Sequence, residues 1–247
     1  TEKGTAKSHI LTTLAFPNNS ANQGVTAITN QAFEQKLNKL TSLKIPASLR
    51  KIGTEAFAGN ELTNIDFSEA HNLHIGSAAF HNNKLTKLNL PTGAGLTFDQ
   101  YCRYSGNRGV FSYNTALTEV TLPQDMTTIP SCFLQNSRVK SITIPASVTT
   151  IGEEAFYGSS LSEDQKLTNL TFAPGSQLTT IGKRAFYEQR LTTVDFPNTV
   201  TTIGDSAFNS NKLTKVKLPE SNLTVNEYAF SYNRDRFSSA LYGCFKR

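Results

Sequence analysis

From residue 40 onward the apolar positions recur in one phrase, clearest at 191–212, LTTVDFPNTVTTIGDSAFNSNK. It reads L-T-x-V-x-F-P, then V-T-x-I-G, then A-F, with Asn three residues after the Phe. In the first part Val194 and Phe196 alternate, so both point inward from a short strand while Thr193 and Asp195 project outward. Pro197 ends that strand, because it has no N–H to offer a further ladder bond. A second extended piece returns on the opposite side with Val200 and Ile203 inward. Gly204 allows a turn that a side chain would strain, and Ala207-Phe208 closes the coil.

Aligned on its Phe, the phrase occurs nine times: Phe33, Phe57, Phe80, Phe111, Phe133, Phe156, Phe186, Phe208 and Phe230. The strand starts from Leu11 to Leu213 are spaced 29, 22, 23, 32, 22, 28, 24 and 22 residues apart. A period near 22 with insertions predicts a mainly β repeat solenoid with short turns, a right-handed leucine-rich-repeat solenoid; a parallel β-helix is the alternative, since two extended pieces per coil could build one. The rings are expected to stack into a spine along the axis. Asn60, Asn83, Asn114, Asn136, Ser159, Gln189, Asn211 and Asn233, three residues past each Phe, should satisfy backbone groups of the turn. One solenoid domain is expected over 1–247: an N-terminal cap and atypical first repeat (1–39), repeats over 40–230, and a C-terminal cap or truncated repeat (231–247).

The phrases IPASVTTIGEEAFYGSSL (144–161) and FPNTVTTIGDSAFNSNKLTKVKLP (196–219) resemble the BspA-like leucine-rich repeats of bacterial surface proteins. The resemblance implies a secreted or cell-surface binding protein, often an adhesin that contacts host proteins or other bacteria. It implies no site residue by residue. The chain departs from the family in two places. Many members carry Cys where this one has the Asn column, and TIPSCF (128–133) has Pro130 in place of the Gly and one residue fewer.

Outward strand positions form two columns that stacking would place side by side: Ser42/Lys44, Asn64/Asp66, Lys87/Asn89, Glu119/Thr121, Ser141/Thr143, Asn169/Thr171, Thr193/Asp195 and Lys215/Lys217. Lys44, Asp66, Lys87, Glu119, Asp195, Lys215 and Lys217 are their charged members and candidate contacts; a plain solvated, Thr-rich strand face is the competing reading. A second candidate is the insertion between Pro91 and Phe111, where twenty residues replace the usual eleven. It carries Tyr101, Arg103, Tyr104 and Arg108, residue types enriched at interaction hot spots. The insertions at 18–24 and 162–166 read as plain polar loops.

Composition narrows the function classes. Hydrophobic residues make up 38% and charged ones 17%, which is neither a disordered nor a membrane composition. The +5 net charge is spread among acids, so no dedicated nucleic-acid surface is expected, and no apolar run could insert in a bilayer. Cys102, Cys132 and Cys244 are too few and irregular for a disulfide scaffold, and Cys132, where other copies have Ala, reads as a small buried residue. His71, His74 and His81 read as solvated loop histidines. No metal or cofactor is expected, and the usual catalytic motifs are missing from the sequence. The chain is therefore expected to be a non-enzymatic module at the bacterial cell surface or outside the cell, binding a protein or glycan of a host or neighbouring bacterium. A spacer segment of a larger surface protein is the alternative.

Overall fold

The computed structural model describes residues 10–16, 24–35, 38–102, 108–220 and 222–233. The cap readings for residues 1–9 and 234–247, Cys244 among them, and most of the 18–24 insertion therefore lie outside the described residues. Each copy of the phrase forms one coil. Its first strand is Ser42–Lys44, Asn64–Asp66, Lys87–Asn89, Glu119–Thr121, Ser141–Ile144, Asn169–Phe172, Thr193–Asp195 or Lys215–Lys217, and these pair two by two in parallel, with Lys44 opposite Asp66, Lys87 opposite Glu119, Thr143 opposite Thr171 and Asp195 opposite Lys217. The second extended piece also pairs. Ala27–Ile28, Lys51–Ile52, His74–Ile75 and Thr97–Phe98 make a four-stranded parallel sheet; Thr128–Ile129, Thr150–Ile151, Thr180–Ile181, Thr202–Ile203 and Thr224–Val225 make a five-stranded one. The molecule is thus a β-rich repeat solenoid, with one 3-10 turn at Glu163–Gln165 among the described residues.

Within a coil the inward residues are fully enclosed. Leu40, Leu43, Ile45, Leu49, Ile52 and Phe57 of one coil are all buried, and the same cluster continues to Ala229. No coil has a core of its own, so burial is shared between neighbours. The Asn column couples them directly. Asn83 accepts from the Leu62 N–H of the preceding coil (3.1 Å) and donates to the carbonyls of Phe57 (2.9 Å) and Phe80 (3.2 Å). Asn60, Asn114, Asn211 and Asn233 repeat the arrangement. Gln189 does so with a longer side chain, accepting from Leu167 N–H and donating to Phe156 O.

The turn around each Phe is itself a ladder. Residues two before and two after the ring take left-handed backbone conformations, as in Ala78/Asn82, Arg184/Glu188, Ser206/Ser210 and Tyr228/Tyr232. That alternation sends every second N–H to the next coil, as in Glu55→Ser77 O (3.0 Å), Phe57→Ala79 O (2.9 Å) and Gly59→His81 O (2.8 Å), while Ala58 bonds back within its own turn (3.1 Å). The glycines of the I-G pair have a different cause from the strained turn expected of them. A Cβ at Gly53, Gly76, Gly152, Gly182 or Gly204 would come within 2.5–2.7 Å of a backbone nitrogen of the preceding coil. Close approach between coils, not an unusual φ, requires Gly there.

The expected continuous spine of rings is interrupted. Phe33, Phe57, Phe80 and Phe111 stack nearly parallel, as do Phe156, Phe186, Phe208 and Phe230, but Phe133 meets Phe111 edge-on at 88°. The cause is the shortened copy. Its Asn136 leaves the column, accepting from Ser160 N–H (2.9 Å), and the Ser137 hydroxyl substitutes, accepting from Asn114 N–H (3.1 Å) and donating to Phe111 O (2.9 Å). Among the described residues no hydrogen bond gives Ser159 the column role expected of it in the following copy. Pro130 also lacks the N–H with which Gly76, Gly152 and Gly204 reach the preceding coil, and the orphaned Phe98 carbonyl is instead bonded by the Gln100 side chain (2.9 Å). The seam between the two second-strand sheets falls at this coil.

Replacing Asn83 by Ala leaves one N–H and two carbonyls of two coils short of a buried partner, and should lower unfolding free energy by about 2–4 kcal/mol. The solvent-facing Asn89→Ala should change it by less than about 0.5 kcal/mol. Urea titration followed by circular dichroism reads both.

Candidate binding surfaces

Stacking brings the two outward strand columns into register as the sequence predicts, and it also neutralises most of their charge. Lys44 pairs with Glu69 (2.7 Å), Lys87 with Glu119 (3.0 Å) and Lys217 with Asp195 (3.5 Å). Hydrogen bonds from Ser68 hold the Asp66 carboxyl below its usual range. Lys215 stands opposite Thr193. Between the charged ends lies an uncharged stretch of hydroxyl and amide groups, in which Thr143 meets Thr171 (2.8 Å) and Asn169 donates to Ser141 (3.0 Å). The Thr at the second position of the phrase is structural: Thr63, Thr118, Thr168 and Thr214 each donate their hydroxyl to a carbonyl of the preceding coil.

One concavity opens at the edge of this face. The strand Asn169–Phe172 runs a residue further than its successor, and the turn after it bulges through Gly175, where φ is +75°. The resulting groove has a volume near 540 Å³ and is lined by Thr171, Phe172, Ser176, Asp195, Asn198 and Lys217 among others. Three predicted face residues therefore share one groove. Lys44, Asp66, Lys87 and Glu119 do not line it.

The insertion makes a separate cleft of about 270 Å³ beside the turns that follow the second strands, lined by Asn30, Gln31, Thr54, Ser77, Tyr101 and Cys102. Tyr101 projects into solvent at 81% exposure. Arg108 reaches the buried Glu55 carboxylate (3.5 Å), which also accepts from Gln31 (2.7 Å). The Ser77 hydroxyl ties both ends of the insertion down by bonding to Tyr101 O (3.3 Å) and Arg108 O (3.1 Å). Arg103 and Tyr104 lie outside the described residues.

The cysteine reading needs correction. Cys132 is buried as expected, but it is not a lone small residue: it forms a disulfide with Cys102 across 30 residues, with Cα atoms 5.7 Å apart. The bond joins the insertion to the shortened copy, at the seam where the second-strand sheet is broken. The histidines differ too. His71 is exposed against Arg50 (2.9 Å), and His74 lies on a strand facing Asp99 (3.1 Å). His81 is largely buried on Ser112 (2.8 Å), with its ring edge-on to Tyr113. Burial, then the nearby Arg108 charge, push its pKa down to about 4. The three do not converge, and among the described residues no group of His, Cys, Asp and Glu is placed to hold a metal ion.

Two features escaped the sequence reading. Tyr157 and Tyr187 stack at 5.2 Å with Arg184 over the latter ring, a pairing signalled by Tyr after Phe in neighbouring copies. The 162–166 insertion is no plain loop: it forms the 3-10 turn, and its acids meet a row of cations. No helix among the described residues is long and apolar enough to cross a membrane.

The chain matches the BspA-type leucine-rich-repeat region family, in six copies, over residues 26–162 and 161–238. No curated protein matches it. Among solved structures it is similar to a leucine-rich repeat protein from Bacteroides ovatus, with 22% identity and a TM-score of 0.61 over 91% of this chain and 62% of that one. It is also similar to a leucine-rich cell surface protein from Faecalibacterium prausnitzii, with 23% identity and a TM-score of 0.47 over 90% of this chain and 79% of that one. A third likeness is to the pneumococcal vaccine antigen PcpA, at 17% identity and a TM-score of 0.38 over 86% of this chain and 75% of that one.

Two predictions follow from the cleft and its surroundings. Reducing the disulfide, or Cys102→Ser with Cys132→Ser, frees a loop of this length and should cost about 3–4 kcal/mol, seen as a lower melting temperature in reductant. His81 is neutral when folded, whereas unfolded His takes up its proton near pH 6.5. Its contribution is therefore complete above that pH and lost as pH falls toward 4. The drop in melting temperature between pH 7 and 4.5 should be smaller in His81→Gln than in the parent.

Proposed function

Because the chain belongs to the BspA-type leucine-rich-repeat proteins, we propose that it is a non-enzymatic recognition module, secreted or displayed at a bacterial cell surface, that binds a protein or glycan of a host or neighbouring cell. The observation that carries this reading is the groove on the strand face. It combines a partly accessible aromatic ring, Phe172, with hydroxyl, amide and paired charged groups from three successive coils. Such a mixture suits a polar ligand with an apolar face, and a rigid ladder holds it in place before binding, so little ordering cost remains. The insertion cleft, with its exposed Tyr101 and its Arg108, is a second contact region that a large partner would reach.

The spacer reading draws on one observation, the pairing of Lys44 with Glu69, Lys87 with Glu119 and Lys217 with Asp195. A surface that satisfies its own charges has little to offer a partner outside the groove.

Binding of the purified chain to panels of matrix proteins, plasma proteins and glycans tests the proposal. A saturable partner should be lost on Thr171→Arg with Asn198→Arg, which fills the groove while leaving the buried face of the sheet intact. Tyr101→Ala with Arg108→Ala should weaken a large partner by roughly ten-fold or more if it spans both regions. Absence of any saturable binding would overturn the recognition reading in favour of the spacer.

A further inference from the structure

The position just before the first strand of each coil forms a column of its own. In the N-terminal half it is mixed, with Ile10, Lys39, Glu61, Lys84 and Ala116, and Glu61 pairs with Lys84 (3.3 Å). In the C-terminal half it is uniformly cationic: Arg138, Lys166, Arg190 and Lys212, with Lys140 beside them. Backbone bonds Arg190 N–H→Leu167 O (2.9 Å) and Lys212 N–H→Leu191 O (3.0 Å) fix the last members on consecutive coils, about 4.8 Å apart.

The negative charge facing this row comes from outside the column, from the 162–166 insertion. Glu163 receives Lys166 on one carboxylate oxygen (3.0 Å) and both Lys212 (3.0 Å) and Arg190 (3.8 Å) on the other. Asp164 faces Arg138 (3.9 Å), and its backbone carbonyl accepts from Lys140. Lys166 is nearly buried, with only 11% of its side chain exposed. Beneath the end of the row the buried Arg138 Nε has no hydrogen-bond partner among the described residues. Bonds from Lys212 and Lys166 pull the Glu163 carboxyl down to about 2, so the turn stays anionic at any physiological pH.

We propose that this row is a binding surface for a linear sulfated polysaccharide, and that Glu163 and Asp164 occupy it as a built-in competitor. Four cations meet the two carboxylates and a fifth, Lys140, bonds the Asp164 carbonyl, leaving an excess of three positive charges along a line four coils long. A single file of cations, one per coil, suits a single chain with fixed charges at regular intervals. It does not suit a membrane, which needs apolar groups beside the cations: the exposed large apolar residues among those described, Ile10, Leu11, Val25, Tyr101, Tyr228 and Tyr232, all lie outside the 138–212 stretch that carries the row. Nor does the row interleave aromatic rings with its cations, as a surface that stacks nucleic-acid bases does. The row is distinct from the strand-face groove, so this inference does not depend on the reading proposed for the groove.

Heparin is the probe, with fully desulfated heparin and a single-stranded oligonucleotide beside it, measured by calorimetry on the intact chain. Heparin should bind with an affinity that falls as salt rises, and desulfated heparin should not. Glu163→Gln with Asp164→Asn should tighten heparin binding about three- to ten-fold by removing the competitor. Asp66→Asn with Glu119→Gln makes the same change in net charge on the strand face, outside the groove, and should leave binding within about two-fold, the scale of a surface-charge effect. Arg190→Gln with Lys212→Gln should abolish binding while leaving the circular dichroism spectrum and melting temperature close to the parent's. Equal tightening in the strand-face control, no tightening in the Glu163/Asp164 variant, or oligonucleotide binding as tight as heparin's would each overturn the proposal.

Discussion

Everything in this molecule depends on backbone groups of one coil being satisfied by the next. A side-chain amide in a buried turn, Asn83 or its equivalents, joins an N–H of the preceding coil to carbonyls of two successive Phe residues. Because the bonded groups are buried, losing the amide exposes none of them to water, and the full desolvation penalty falls on the fold. The stacked Phe rings and the left-handed turn residues follow from the same geometry. The amide sets the separation of the coils, the rings fill the space it leaves, and the alternating backbone offers each second N–H to the next turn. Glycine enters where two backbones come too close for a Cβ, as at Gly152 against Ser131.

This arrangement makes the seam at the shortened copy consequential. Pro130 removes one inter-coil donor, Phe133 turns out of the ring stack, and Ser137 takes over from an amide. The chain compensates locally, with Gln100 on the orphaned Phe98 carbonyl and the Cys102–Cys132 bond across the same junction. The insertion that supplies Gln100 and Cys102 also carries Tyr101 and Arg108. One segment thus both repairs the solenoid and presents the most exposed aromatic side chain among the described residues, with the disulfide linking the two roles.

The repeat, the inward residues and both outward strand columns are legible in the letters, because period and alternation alone place Leu43, Ile45 and Lys44 on their faces. What the letters hide depends on contacts between coils. Cys102 and Cys132 are 30 residues apart with no recognisable spacing, and they meet only because an insertion in one coil returns over the next. His81 looks like any loop histidine until Ser112 and Tyr113 of the following coil close over it. The cationic row is similarly dispersed, since Arg138, Lys166, Arg190 and Lys212 are separated by whole repeats and their acids lie in an insertion outside the phrase. The groove near Phe172 arises from one strand outrunning its neighbour, a difference of a single residue.

Native-state hydrogen exchange, resolved by peptide and run at low denaturant with the disulfide reduced, tests this account most directly. If cohesion is the sum of inter-coil ladders with one weak junction, amides flanking the seam, around residues 98 and 129–133, should exchange first, and the coils on either side should retain protection as separate units. Simultaneous loss of protection along the whole solenoid, or first opening in the middle of an unbroken Phe stack, would contradict it.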